Sequence, residues 1–143
     1  MDPISPEIDA RARRIAEQVG SVARALPPPI AETAVRVCTV SEVVRKTLLD
    51  VPELLSERVL DSTALTAESV ARRIALDELD EAQAMEALRR FRNVEIARIA
   101  WRDLAGRDDL DRSLLDLSAL AEGLVAAALE FAEEALAPRY GRP

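Results

Sequence analysis

Residues 88–106 combine charged and apolar side chains at helical spacing. On a helix that turns about 100° per residue, one stripe contains Leu88, Phe91, Glu95, Ile99 and Arg102, with Arg98 at its edge. Glu95 precedes Arg98 by three residues and Arg102 follows Arg98 by one turn, so these three side chains could form an ion network. Because a buried unpaired charge is costly, two interpretations stay open. Either the stripe is a partly solvated seam between helices, or it meets a surface outside this chain.

The second interpretation defines a candidate contact surface between domains. Its six residues are Arg90, Phe91, Glu95, Arg98, Trp101 and Arg102. The stability of the variant Glu95→Ala distinguishes the two interpretations. A desolvated network within the chain would lose roughly 3 kcal/mol or more of stability, whereas a loss below about 0.5 kcal/mol would indicate a face open to water.

The residues required by many kinds of catalysis are missing from the sequence. There is no His, so Ser-His-Asp and Cys-His arrangements and His-containing metal sites cannot be assembled. The four glycines are isolated and form no phosphate-binding loop. Cys38 is the single cysteine and is predicted to be a small core residue, since no base accompanies it. We therefore expect no catalytic, cofactor-binding or metal-binding residue in this chain.

Two acidic clusters could suggest two-metal chemistry, which needs carboxylates held together on a rigid element. They are Asp77-Glu78 with Asp80-Glu81, and Asp108-Asp109 with Asp111. Both clusters fall where helices are predicted to begin or end. Helix capping is therefore the preferred interpretation of both.

Composition favours an all-α protein. Hydrophobic residues make up 49% of the 143 residues, charged residues 31% and aromatic residues only 3%, and the apolar content is mostly Ala, Leu and Val. The spacing of apolar residues and caps predicts an irregular cluster of about six to seven helices, in which the two long C-terminal helices run antiparallel. The predicted helices cover about 6–25, 30–38, 42–50, a short stretch from 52, 67–77, 81–106 and 110–136.

The last predicted helix has a distinct apolar side. This side, which should face the core, contains Leu110, Leu114, Leu117, Ala121, Leu124, Val125, Ala128, Phe131, Ala132 and Ala135. The opposite side should be solvated and contains Arg112, Asp116, Glu122, Glu130, Glu133 and Glu134. Pro138 and Gly141 are predicted to end the helix.

Three consecutive prolines, Pro27 to Pro29, are the strongest linker signal. They divide the chain into an N-terminal helix with its proline-rich linker, residues 1–29, and a helical segment, residues 30–143.

Net charge and hydropathy exclude several classes of partner. A net charge of −7 argues against a general affinity for nucleic acid, and the cluster Arg89, Arg90, Arg92 is assigned to a solvated helix face. No window has the 18 or more apolar residues of a membrane-spanning helix, and residues 1–20 are too charged for a signal peptide. Together with the lone cysteine, this predicts a cytoplasmic protein.

Residues 88–106 also carry a family resemblance. Read as L-R-R-F-R-x-x-E-x-x-R-I-A-W-R-D-L-A-G, they resemble the helical segment that precedes the first catalytic domain of bacterial glutamine synthetase adenylyltransferase/adenylyl-removing enzymes. Four other stretches fit the same family: residues 41–44, 50–55, 117–121 and 139–143. The resemblance covers roughly residues 28–143.

The resemblance implies a function for the whole enzyme. That enzyme would add AMP to a tyrosine of glutamine synthetase, or remove it by phosphorolysis, under the control of a PII signalling protein and glutamine. Mg²⁺ and ATP or phosphate are implied as its cofactors. The family's Gly-rich strand-turn followed by an Asp-x-Asp metal pair does not occur in this sequence, so the resemblance implies that this chain packs against its catalytic domain and is inactive alone. The alternative is a free-standing helical module that binds a partner protein through an apolar groove.

Overall fold

The computed structural model describes residues 6–141, and these form seven α-helices with no strand. The helices are α1 (Pro6–Ala23), α2 (Pro28–Val40), α3 (Glu42–Asp50), α4 (Pro52–Leu60), α5 (Ala67–Arg73), α6 (Glu81–Leu104) and α7 (Leu110–Tyr140). Helices α6 and α7 are the longest, with 24 and 31 residues. They run antiparallel, because Arg98 contacts Asp116, whereas Asp103, later in α6, contacts Ser113, earlier in α7. The predicted all-α architecture is confirmed.

Local hydrogen bonds explain where the helices begin. The Ser41 hydroxyl accepts a hydrogen bond from the Val44 amide at the start of α3. At the start of α6, Asp80 and Gln83 form the predicted capping box, with each side chain accepting from the other's backbone amide at 2.8 and 3.0 Å. These groups lie within three residues of each other, so the sequence alone reveals them.

Helix ends differ more from the prediction. Helix α5 stops at Arg73, four residues early. Helix α7 continues through Pro138 to Tyr140, because a proline in the last turn removes only one backbone hydrogen bond. Gly141, at φ 80°, ends α7, and Gly106, at φ 69°, follows α6 as predicted.

Two hydrophobic clusters form the core of the described residues. The first joins α1 to α4 with the C-terminal half of α6, and Trp101 at its centre is completely buried. Val19 of α1 is also completely buried there, so α1 and α2 share one core. Pro27 precedes α2, and Pro28 and Pro29 are its first residues rather than part of a linker. The second cluster joins α5, α6 and α7 around Val70 and Leu120.

The predicted orientation of α7 is correct at Leu124 and Phe131, which pack against the second cluster, but wrong for the first half of the helix. Its buried face consists of Ser113, Asp116, Leu120, Gly123 and Ala127. Leucines predicted to face the core are instead exposed, by 66% at Leu110 and 52% at Leu114, while Asp116, predicted to be solvated, is only 2% exposed. The reason is that α5 and Arg98 of α6 need a small and polar face of α7, as described next.

Candidate functional site

The structure separates the six residues of the candidate contact surface. Glu95, Arg98, Trp101 and Arg102 are all buried within this chain, each 5% exposed or less. The Trp101 indole Nε1 donates to the Thr33 hydroxyl at 3.0 Å. The remaining two, Arg90 and Phe91, lie on the surface and are exposed and half-buried, respectively. A contact role therefore stays a prediction for these two only, because the other four side chains are buried within this chain.

Arg98 is the centre of the buried network and is completely buried. Its guanidinium donates to the backbone carbonyls of Arg58, Asp61 and Thr63 at 2.9–3.1 Å. Its Nη1 also donates to Asp116 Oδ2 at 3.1 Å. The planar donor set of an arginine suits such a cluster of carbonyls. These hydrogen bonds satisfy backbone carbonyl groups at the end of α4 and in the segment after it.

Glu95 accepts charge-assisted hydrogen bonds from two other helices. Its Oε1 lies 2.7 Å from Arg58 Nε of α4 and 3.4 Å from Arg73 Nη2 of α5. Its Oε2 lies 3.7 Å from Arg98 Nη1. One buried carboxylate thus holds α4, α5 and α6 together.

Arg102 does not join Glu95, in contrast to the predicted three-residue network. Its Nε and Nη2 donate to the two carboxylate oxygens of Asp108 at 2.6 and 2.7 Å, and its Nη1 donates to the Val59 carbonyl. This bidentate pair lies across the loop between α6 and α7. Asp108 is therefore an ion-pair partner, whereas Asp109 is the helix cap, accepting from the Arg112 amide at 2.8 Å.

Asp116 is the partner that sequence reasoning missed. Its carboxylate accepts from Arg98, from Arg112 Nε at 3.0 Å and from the Leu65 backbone amide at 3.0 Å. Only the Arg112 contact is local, at spacing i, i+4, and surface pairs commonly show the same spacing. Arg58 was missed for a similar reason, since 37 residues separate it from Glu95.

The network is suited to structure and not to proton transfer. Every carboxylate in it is paired with arginine, which stays protonated. Burial raises the pKa of the Cys38 thiol to about 11, so this side chain is a thiol at neutral pH.

Within residues 6–141, no group of three or more acidic or cysteine side chains is placed to hold a metal ion. No helix in that range is long and apolar enough to cross a membrane.

Acid should weaken this network through Asp61. Hydrogen bonds from Thr63, helped by the charge of Arg58, lower the pKa of Asp61 from 3.8 to about 2. A lowered pKa in the folded state stabilises the fold above the unfolded value, so this contribution is complete above about pH 4 and is lost as the pH falls towards 2. Urea unfolding between pH 5 and pH 2.5 should show stability falling over that window. In Asp61→Asn the fall should be shallower, and an unchanged slope would contradict this account.

Comparison of the sequence with known proteins identifies the family of this chain. A sequence model of the family described as glutamate-ammonia ligase adenylyltransferase matches residues 31–143. Similar proteins include bifunctional glutamine synthetase adenylyltransferase/adenylyl-removing enzymes from three bacteria. The Xanthomonas campestris relative is 32% identical over 98% of this chain, the Thioalkalivibrio sulfidiphilus relative 37% over 78%, and the Shewanella loihica relative 48% over 45%. No solved structure matches.

The matched part is a small share of each relative. The chain spans 15%, 12% and 7% of the lengths of those three proteins, respectively. The match covers α2 to α7, including every residue of the buried network. The chain therefore belongs to the glutamate-ammonia ligase adenylyltransferase family.

Proposed function

We propose that this chain is the helical part of a bifunctional enzyme that adds AMP to, or removes it from, a tyrosine of glutamine synthetase. The family match over residues 31–143 supports this assignment. In this proposal the chain has a structural, interdomain role, and the chemistry belongs to a nucleotidyltransferase domain that uses Mg²⁺ with ATP or phosphate. Glutamine synthetase, a PII signalling protein and a cytoplasmic location follow from the same assignment.

The exposed face of α7 is the observation that carries the interdomain role. Leu110, Leu114, Leu117 and Val125 recur every three to eight residues and are 40–68% exposed. They lie about a third of a turn away from the buried face of the same helix. A helix that buries one face within the chain and carries large exposed apolar side chains on another is built to be packed on both. We assign the outer face to the polypeptide that follows this segment in a full-length enzyme.

Reading the source DNA beyond codon 143 tests the assignment directly. We expect an open frame that encodes a Gly-rich strand-turn and then an Asp-x-Asp pair. A stop codon immediately after Pro143 would overturn the enzyme proposal for this chain. It would favour the alternative, a free-standing module whose partner covers α7.

A double substitution tests the outer face of α7. Leu114→Gln with Val125→Gln should change the free energy of unfolding of the isolated chain by no more than about 0.5 kcal/mol, because both side chains are exposed. The same pair should weaken docking of this segment in a longer polypeptide, measured as increased amide exchange along α7. Self-association of the isolated chain that the double variant abolishes would instead assign the face to a second copy.

Leu120→Gln is the matched control, since Leu120 lies on the inner face and is 2% exposed. It should lower the stability of the isolated chain by about 3 kcal/mol. If the outer-face double variant were equally destabilising, α7 would be packed on both sides within the chain, and the interdomain role would lose its support.

A further inference from the structure

A recess on the side of the molecule formed by α4, α5 and α6 is not explained by the buried network. Its volume is about 280 Å³ and it is lined by ten residues, six of them apolar. Leu54, Ile74, Phe91 and Val94 supply most of the apolar wall. This combination of a concave apolar wall with a few polar groups is typical of small-ligand sites.

The polar part of the wall has more positive than negative charge. Arg58 is balanced by Glu95 at 2.7 Å and Asp61 at 2.9 Å. Arg73 forms an ion pair only with Glu95, at 3.4 Å, and Glu95 is also paired with Arg58. The Arg73 guanidinium lies 5.6 Å from the centre of the Phe91 ring. Arg90, the third arginine, makes no ion pair within the described part of the chain. Arg98 also approaches Glu95, at 3.7 Å, but is balanced by Asp116 at 3.1 Å. The three wall arginines therefore face two carboxylates, which leaves one positive charge in excess.

We propose that this recess binds a monoanionic carboxylate attached to a short apolar chain. Arginine presents paired donors that match the two oxygens of a carboxylate, and Arg73 and Arg90 both have donors that are not used within residues 6–141. The apolar wall then receives the rest of the ligand. A phosphate dianion fits less well, since it would bring two negative charges to a site with one in excess. The carboxylate could belong to a free small acid or to an acidic side chain beside an apolar residue in a protein segment.

Two further observations support this site. Burial and the positive charge of Arg58 lower the pKa of Arg73, as expected where positive charge is incompletely balanced. Arg58 Nη2 is buried and makes no hydrogen bond within the described residues, although nearly all buried polar groups in proteins are satisfied. This unused donor belongs to a residue of the recess wall.

Hexanoate, its neutral amide hexanamide and inorganic phosphate are the probes for the test. Each is titrated into the chain while the NMR signals of Ile74 and Val94 are followed. Hexanoate should give saturable shifts, and hexanamide should bind about tenfold more weakly, because it lacks the charge-assisted hydrogen bonds. Equal binding of hexanoate and hexanamide, tighter binding of phosphate, or no saturable shift would each overturn the proposal.

Substitutions then locate the site. Arg90→Gln and Arg73→Gln should each weaken hexanoate binding by about tenfold. Arg89→Gln is the matched control, since Arg89 is exposed on the same helix and does not line the recess. An effect of Arg89→Gln equal to that of Arg90→Gln would mean general attraction to positive charge, and would overturn the assigned site. If acetyl-Leu-Glu-amide binds more tightly than hexanoate, the natural carboxylate belongs to a protein segment, and if it binds more weakly, to a free acid.

Discussion

Replacing Glu95 with alanine is expected to lower the free energy of unfolding by about 3 kcal/mol or more. The side chain is 2% exposed and holds Arg58, Arg73 and Arg98. Its loss leaves three arginines with only the carboxylates of Asp61 and Asp116, and uncompensated buried charge is more costly than the net stability of an ion pair. For a chain of this size, the melting temperature should fall by roughly 6–12 °C. Urea and thermal unfolding of the purified variant measure both quantities.

Two matched variants separate the buried charge from other effects. Glu86→Ala removes a carboxylate from the same helix, but the Glu86–Arg89 pair is exposed and 3.7 Å apart, so the loss should be below about 1 kcal/mol. Glu95→Gln keeps the shape of the side chain without its charge and should recover only part of the stability lost in Glu95→Ala. A loss in Glu95→Ala below about 0.5 kcal/mol would show that water reaches this site, contrary to the structure.

Replacing Gly123 with valine is expected to be destabilising by about 3 kcal/mol or more. A Cβ atom at position 123 would lie 2.5 Å from Cβ and Cγ1 of Val70 and 2.7 Å from the Ala67 carbonyl oxygen. The carbonyl belongs to the backbone of α5, so it cannot rotate away, and Val70 is completely buried. Helix α5 must therefore move off α7, and unfolding experiments should show a large loss of stability together with a changed environment for Val70.

Gly20→Ala is the control for this substitution. Gly20 also lies inside a helix, but a Cβ atom there would meet nothing within 4 Å. Alanine should stabilise the chain by up to about 1 kcal/mol, because it is a better helix former than glycine. If Gly123→Ala were stabilising to the same extent, the close approach of α5 to α7 would be wrong.

Residues 88–106, which carry the family resemblance, show what can and what cannot be predicted from sequence. The run was correctly predicted to form a long helix that begins at the Asp80 capping box and stops before Gly106. Its buried charges were noticed because Glu95, Arg98 and Arg102 interrupt an apolar stripe. Their partners were not found, since the groups that bind Arg98 are 18–40 residues away.

The helical class, the family and most helix starts of this protein can be predicted without any tertiary contact. The class depends on composition, the family on sequence similarity to relatives, and the helix starts on hydrogen bonds between groups three residues apart. Each of these is visible in the linear sequence. Which side of α7 is buried depends instead on contacts between residues that are far apart in the chain. Leucines alone would turn its outer face inward, but Arg98 requires the carboxylate of Asp116 and α5 requires the space above Gly123. An unpaired buried charge and a backbone clash are each costly, so these two contacts outweigh the burial of the leucines and leave them exposed.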